Sequence, residues 1–316
     1  LTRPFNAELK KMYEHLSSGT TFNAFQSIRS RQIGELARAW AENREPAFNF
    51  EPRSVLSKDP NEWAKRYYMT FQDNPFIIPD EIKASRAHMH SAIARIFTDV
   101  WAKKKHTFQG WYDLERQNYQ RNVALTASRA IQRREQTKIS ILSGAPPSLE
   151  ELAIMMPSEQ EALLNGVMEI MRFPRSGGER TPQEVAQLLK DFSIANRIAE
   201  APFIKLQSLM YAAIAMRASV GQKEPPNEGM TTDIETVAHL LPYCDSMLMD
   251  KDCRALLLNV PTALRPSEVA KVYSLSNRDE FLAHLRSIRD SITPEHVSAL
   301  SELYGEDRLP KQNGVS

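Results

Sequence analysis

The sequence predicts an α/β chain that is predominantly helical and carries a small parallel sheet. Three observations predict this class. Apolar residues recur at helical spacing along most of the chain. Only 11 of 316 residues are glycine, too few for a turn-rich β-barrel or sandwich. In the last third, two short apolar runs alternate with helical patterns, the order of a βαβ unit. Neither GxGxxG nor GxxxxGK[ST] occurs, which disfavours nucleotide folds built on those loops. The length exceeds that of one usual compact domain, so one large elaborated domain or two are expected. With 42% hydrophobic and 25% charged residues the chain can bury a substantial core. A formal charge of +1, from 40 Lys and Arg against 39 Asp and Glu, excludes a histone-like protein. Any affinity for nucleic acid must come from local patches.

The elements follow in order. Thr21 to Trp40 places Phe25, Ile28, Leu36 and Ala39 at helical intervals, with Ile33 and Trp40 widening the stripe. A second helical pattern runs from Glu81 to about Lys105, a third from Trp111 to about Ile141. Ser148–Glu151, Ser158–Glu161 and Thr181–Glu184 fit the capping box, and Pro182 adds the residue favoured at a first helical position. Loops are marked at Gly144–Pro147, Pro174–Gly178 and Lys223–Gly229. A short helix is predicted to open at Thr232-Asp233-Ile234-Glu235 and to end at Pro242-Tyr243. Ser246 to Met249 reads as a buried strand stopping at Asp250, followed by a helix from Asp252 to Leu258. Ala270 to Leu275 is a second strand, and Asn277 to Ile288 a closing helix.

Leu1-Thr2-Arg3-Pro4-Phe5 has neither the basic nor the apolar region of a signal peptide. Leu209 to Met216 is far shorter than the roughly 20 apolar residues of a membrane span. Cys244 and Cys253 are the only cysteines, too few for a zinc site or a disulfide framework. A cytoplasmic protein is expected.

Chemistry concentrates between Glu224 and Asp252, where Glu224, Glu228, Asp233, Glu235, Asp245, Asp250 and Asp252 face one base, Lys251, for a net −6. A carboxylate ending a strand and another opening the preceding helix can converge on one point. In open α/β sheets ligands gather at the carboxyl ends of strands, where Asp250 falls. Oxygen donors of this kind suit Mg²⁺ or Mn²⁺. Helix capping accounts for the same residues without a metal: Asp233 suits the positive end of a helix dipole, and Asp250 can cap the helix that follows.

The stretch from Gly229-Met230-Thr231-Thr232-Asp233 through Leu241-Pro242-Tyr243-Cys244-Asp245 to Met249-Asp250-Lys251 resembles the C-terminal half of a PIN-like nuclease domain. The apolar helix Phe203 to Tyr211 is similar to that family's pattern, and the likeness covers roughly Pro202 to Ile288. The resemblance implies a small Rossmann-like parallel sheet and a cluster of acids that binds Mg²⁺ or Mn²⁺ and cuts RNA. It implies catalytic roles for Asp233, Asp250, Asp245 and Glu35, with Asp233, Asp250 and Glu35 as metal ligands. Glu35 enters because Ile33-Gly34-Glu35-Leu36-Ala37 resembles the family's early small-residue-Glu-Leu setting; a surface salt bridge to Arg31 and Arg38 accounts for it equally. The family's first Asp ends an N-terminal strand, whereas the first Asp here is Asp59, so residues upstream of Leu1 are expected to supply it. Residues 1–45 are then the N-terminal helical part of the domain, 46–200 a large helical insertion and 201–316 its C-terminal part. The family setting implies a toxin–antitoxin or defence component restrained by a partner protein. The alternative is a non-catalytic helical interaction protein that keeps a degenerate PIN-like half.

From Arg95 to Lys138 ten bases face four acids, a net +6, with Trp101, Phe108, Trp111, Tyr112 and Tyr119 interleaved. Cations that track phosphates beside aromatics that stack on bases are what single-stranded RNA binding requires. Lys103, Lys104, Lys105, Arg129, Arg133 and Arg134 are the candidate RNA contacts; a solvated helical face with core aromatics, or a face docking a partner, fits the same run. His239 reads as a helix-surface histidine, near Cys244 in sequence but without the orienting partner a Cys–His pair needs.

Overall fold

The computed structural model describes residues 21–57, 79–143, 159–175, 177–227, 229–265, 270–291, 293–295 and 298. Among them the chain is predominantly helical with a small two-stranded parallel sheet. The predicted capping box at Ser148–Glu151, the loop Gly144–Pro147 and the cap residue Ser158 lie outside the described residues.

The first element among the described residues is a strand. β1 (Thr21–Phe22) pairs antiparallel with β2 (Leu56–Ser57), so the helix predicted from Thr21 begins instead at Phe25 as α1 (Phe25–Ala41). α2 (Pro79–Ile96) runs into a π-helical turn at Phe97–Trp101, where the chain leaves the helix short of Lys105. α3 (Phe108–Leu142) starts under the Thr107 side chain, which accepts from the Gly110 amide at 3.1 Å. α4 (Glu159–Arg172) and α5 (Pro182–Ile194) follow. α5 opens on the predicted capping box: Thr181 Oγ1 accepts from the Glu184 amide, and Glu184 Oε2 accepts from the Thr181 amide at 2.7 Å.

α6 (Pro202–Ser219) is buried on nearly every face, which is the signature of a central helix. It packs against α3 and against the two short helices α7 (Met230–Leu240) and α8 (Lys251–Leu258). Leu206, Leu209, Met210, Ile214, Ile234, Leu241, Cys253 and Leu256 form the core of that layer. A second core joins Ile33 and Leu36 of α1, Met171 of α4, Phe192 of α5 and Phe203 and Ile204 of α6. It therefore draws on all three segments expected from the sequence. Gly34 makes the α1–α4 approach close: a β-carbon there would lie 3.2 Å from Ile170 Cδ1. No helix among the described residues is long and apolar enough to cross a membrane.

The start of α6 has no side-chain cap of its own. Pro202 contributes no amide hydrogen, and the next orphan donor, the Phe203 amide, is accepted by Gln32 Oε1 of α1 at 2.9 Å. A tertiary contact thus completes what the local sequence lacks.

The predicted βαβ unit is present. β3 (Ser246–Leu248) and β4 (Lys271–Tyr273) pair in parallel, Ser246 opposite Lys271 and Leu248 opposite Tyr273, with α8 in the crossover. The Lys271 amide donates to the Asp245 carbonyl and the Met249 amide to the Tyr273 carbonyl, extending the ladder by one residue at each end. α9 (Arg278–Asp290) closes the described fold.

Candidate active site at the carboxyl edge of the parallel strands

Asp250 stands where β3 ends and α8 begins. Its Oδ1 accepts from the Asp252 amide at 2.7 Å, so it caps α8. Asp233 belongs to the first turn of α7, which starts at Met230 rather than at the predicted Thr232, because Asn227 Oδ1 accepts from the Met230 amide at 2.9 Å. Burial, and then the charge of Asp250, push the Asp233 carboxyl above the ordinary aspartate value. Two independent elements therefore bring these carboxylates into each other's field.

Beneath them Cys253 is fully buried, its thiol donating to Met230 Sδ at 3.6 Å. Burial raises this thiol to about 12, and Asp233, Asp250 and Asp252 all push in the same direction. A thiol held protonated in this way is not a nucleophile. The same observation adds Asp252 to the acidic edge. In the sequence it is marked only as one of the acids of the −6 segment.

The other expected acids lie elsewhere. Asp245 precedes β3 at its amino edge, and four intervening residues of nearly extended chain, on the order of 15 Å, separate it from Asp250. Glu35 is engaged in an arginine clasp: Oε1 accepts from Arg44 at 2.7 Å and from the Ala47 amide at 2.9 Å, and Oε2 from Arg38 at 3.3 Å. Burial raises the Glu35 carboxyl, but Arg44, the Ala47 amide and Arg38 together outweigh it and hold the carboxyl below the ordinary value. Both Glu35 oxygens are thus engaged by α1 and the segment that follows it. Among the described residues no group of three or more His, Cys, Asp or Glu side chains is arranged to hold a metal ion.

His239 is not on a helix surface. It is fully buried, stacked between Phe25 and Phe203 with ring centroids at 4.7 and 4.8 Å. Arg29 Nε donates to its Nε2 at 3.0 Å, which leaves Nδ1 as the donor to the Glu235 carbonyl at 2.6 Å. Arg29 also pairs with the Glu235 carboxylate. This constellation ties α1 to α7, and it answers the Cys–His question: the imidazole faces aromatic rings.

In the basic segment, Lys103, Lys104, Lys105 and Arg129 are exposed, and Lys103 pairs with Asp99 at 3.2 Å. Arg133 and Arg134 belong to α3, but their side chains lie outside the described residues. The aromatics belong to the core: Trp101, Trp111 and Tyr112 are buried, and Tyr119 packs edge-on against Phe203. The expectation that these rings are available to unstacked bases is thereby corrected, since helical periodicity turns Trp101, Trp111 and Tyr112 inward while Lys103, Lys104, Lys105 and Arg129 face water. Comparison with known proteins finds no match to a family model, to a characterised protein or to a solved structure.

Proposed function

We propose that the chain is a metal-dependent endoribonuclease of PIN-like type, centred on Asp233 and Asp250. The observation that carries this reading is that Asp250, where β3 ends, lies near enough to Asp233 in the first turn of α7 for its charge to add to burial in raising the Asp233 carboxyl. Mg²⁺ is commonly held by one or two protein carboxylates together with substrate phosphates and waters, and Asp233 with Asp250 meets that donor count. A bound Mg²⁺ or Mn²⁺ supplies Lewis acidity toward a phosphodiester and toward water. Asp250 holds its donor oxygen in place through the α8 cap, and Asp233 is fixed by the first turn of α7. The exposed Lys103, Lys104, Lys105 and Arg129 offer charge for an RNA backbone. In a toxin–antitoxin or defence setting, a partner protein would restrain this activity.

The arginine clasp on Glu35 favours a second reading, a non-catalytic helical interaction protein that keeps a degenerate PIN-like half. Cleavage of single-stranded RNA with Mn²⁺ or Mg²⁺ separates the two. Wild type is expected to cut, and Asp250→Asn and Asp233→Asn to lose about 10²-fold or more of the rate. Asn is as good a cap as Asp, so the loss at position 250 is not one of folding. Equal rates in all three proteins would remove the proposed site.

A further inference from the structure

A cleft of about 500 Å³ lies between α1, the segment 47–54, α4 and the turn that follows α7. Its size falls within the roughly 300–1,000 Å³ of small-molecule sites. Its hydrogen-bonding groups are one-sided. The Phe203 amide can only donate, so the oxygen of the Gln32 amide faces it and the nitrogen faces Tyr243. Gln32 Nε2 accordingly donates to Tyr243 Oη at 2.9 Å. The phenol oxygen is thus an acceptor there, and its hydrogen has no acceptor among the described residues. Tyr243 is buried and lines the cleft.

Two further donors join it. Arg31, also lining the cleft, is exposed and makes no hydrogen bond or ion pair among the described residues. Its charge acts on the Tyr243 phenol against the upward push of burial, and both residues line the cleft. Asn49 accepts from the Glu51 amide through Oδ1 at 2.8 Å, which leaves its Nδ2 hydrogens unengaged. Glu35 is the one carboxylate on the wall among the described residues, and both its oxygens are engaged by Arg38, Arg44 and the Ala47 amide. Phe48 and Ile170 supply the apolar surface.

From this inventory we infer that the cleft binds a small planar molecule bearing an oxyanion, phosphate or carboxylate, seated on Arg31, Tyr243 and Asn49 with its flat body against Phe48. An acceptor-only head offers one partner to three donors that have no protein acceptor among the described residues, and a charge-assisted contact to guanidinium is the strongest available to it. The inference is independent of the Asp233–Asp250 reading and requires neither metal nor RNA.

The test is calorimetric titration of the full chain with adenosine 5′-monophosphate, with benzoate and with inorganic phosphate. At least one of the first two is expected to bind saturably and more tightly than phosphate, and the pair tells a phosphate head from a carboxylate head. Arg31→Gln, at an exposed and unbonded position, is expected to fold normally and to weaken binding by about tenfold or more. Asn49→Ala is expected to weaken it several-fold, and Lys190→Gln, at an exposed position that does not line the cleft, to leave it unchanged. Thermal unfolding of each variant confirms the fold. Failure of both planar probes to bind, phosphate binding as tightly as they do, or binding indifferent to Arg31→Gln would each overturn the inference.

Discussion

Asp250 lies close enough to Asp233 for its charge to add to burial in raising the Asp233 carboxyl, although the two residues come from the starts of different helices. Replacing Asp250 by Asn removes the charge while keeping the oxygen that caps α8. The Asp233 titration, followed by carboxyl ¹³C NMR, is expected to move down toward the ordinary aspartate value in Asp250→Asn. Asp250→Ala is expected to cost about 1 kcal/mol of stability as the cap is lost, and Asp250→Asn much less. An Asp233 titration identical in wild type and Asp250→Asn would show that the pair is not coupled.

A pH dependence follows from Glu115 in the main core. Burial raises this carboxyl to about 7, and the hydrogen bond from the Trp101 side chain lowers it by less. A carboxyl whose folded value is raised contributes stability that is fully present below its unfolded value of about 4.5. That contribution is lost as pH rises through about 7. The loss is on the order of 3 kcal/mol, and Asp233 acts in the same direction. Glu35 and Glu200, whose values are lowered, act oppositely, so the comparison is with Glu115→Gln. Between pH 4.5 and 7.5 the melting temperature of wild type is expected to fall relative to that variant. Parallel curves would contradict the assignment.

His239 sits between two phenyl rings with both nitrogens engaged. His239→Ala empties an aromatic-sized space and strips Arg29 of an acceptor. A loss of about 3 kcal/mol or more is expected in urea denaturation, with little change in slope. A loss below about 1 kcal/mol would mean that the stack does not couple α1 to α7.

Gln32 joins a donor to an acceptor, accepting from the Phe203 amide and donating to the Tyr243 hydroxyl oxygen. Gln32→Leu keeps the bulk but leaves a buried amide without an acceptor, and about 2 kcal/mol of destabilisation is expected. Tyr243→Phe leaves only the Gln32 nitrogen unpaired and is expected to cost less.

What could be read in the sequence was local. Thr181, Pro182 and Glu184 announce the start of α5 because every partner of that capping box lies within one turn. The cap of α6 was not legible, since it comes from Gln32 on another helix. Charge counting found the basic run from Arg95 to Lys138, yet a count has no direction, and Trp101 and Trp111 proved to be core residues. The strand ending at Asp250 was legible from its apolar run and fixed one carboxylate, while strand length carried Asp245 to the opposite edge. For Glu35 the salt-bridge alternative identified Arg38 correctly. It missed Arg44, which a loop returns to α1, and it assigned Arg31 a partner that Arg31 does not take. Burial of His239 depends on Phe25 and Phe203, and nothing near it in sequence announces either ring.

The central claim is that Asp233 and Asp250 together hold a divalent cation. Electron paramagnetic resonance titration with Mn²⁺ tests it without reference to any RNA. Wild type is expected to take up Mn²⁺ at a saturable site, with affinity at least about tenfold weaker in Asp233→Asn and in Asp250→Asn. Mn²⁺ uptake by the Asp233→Asn, Asp250→Asn double variant equal to that of wild type would contradict it.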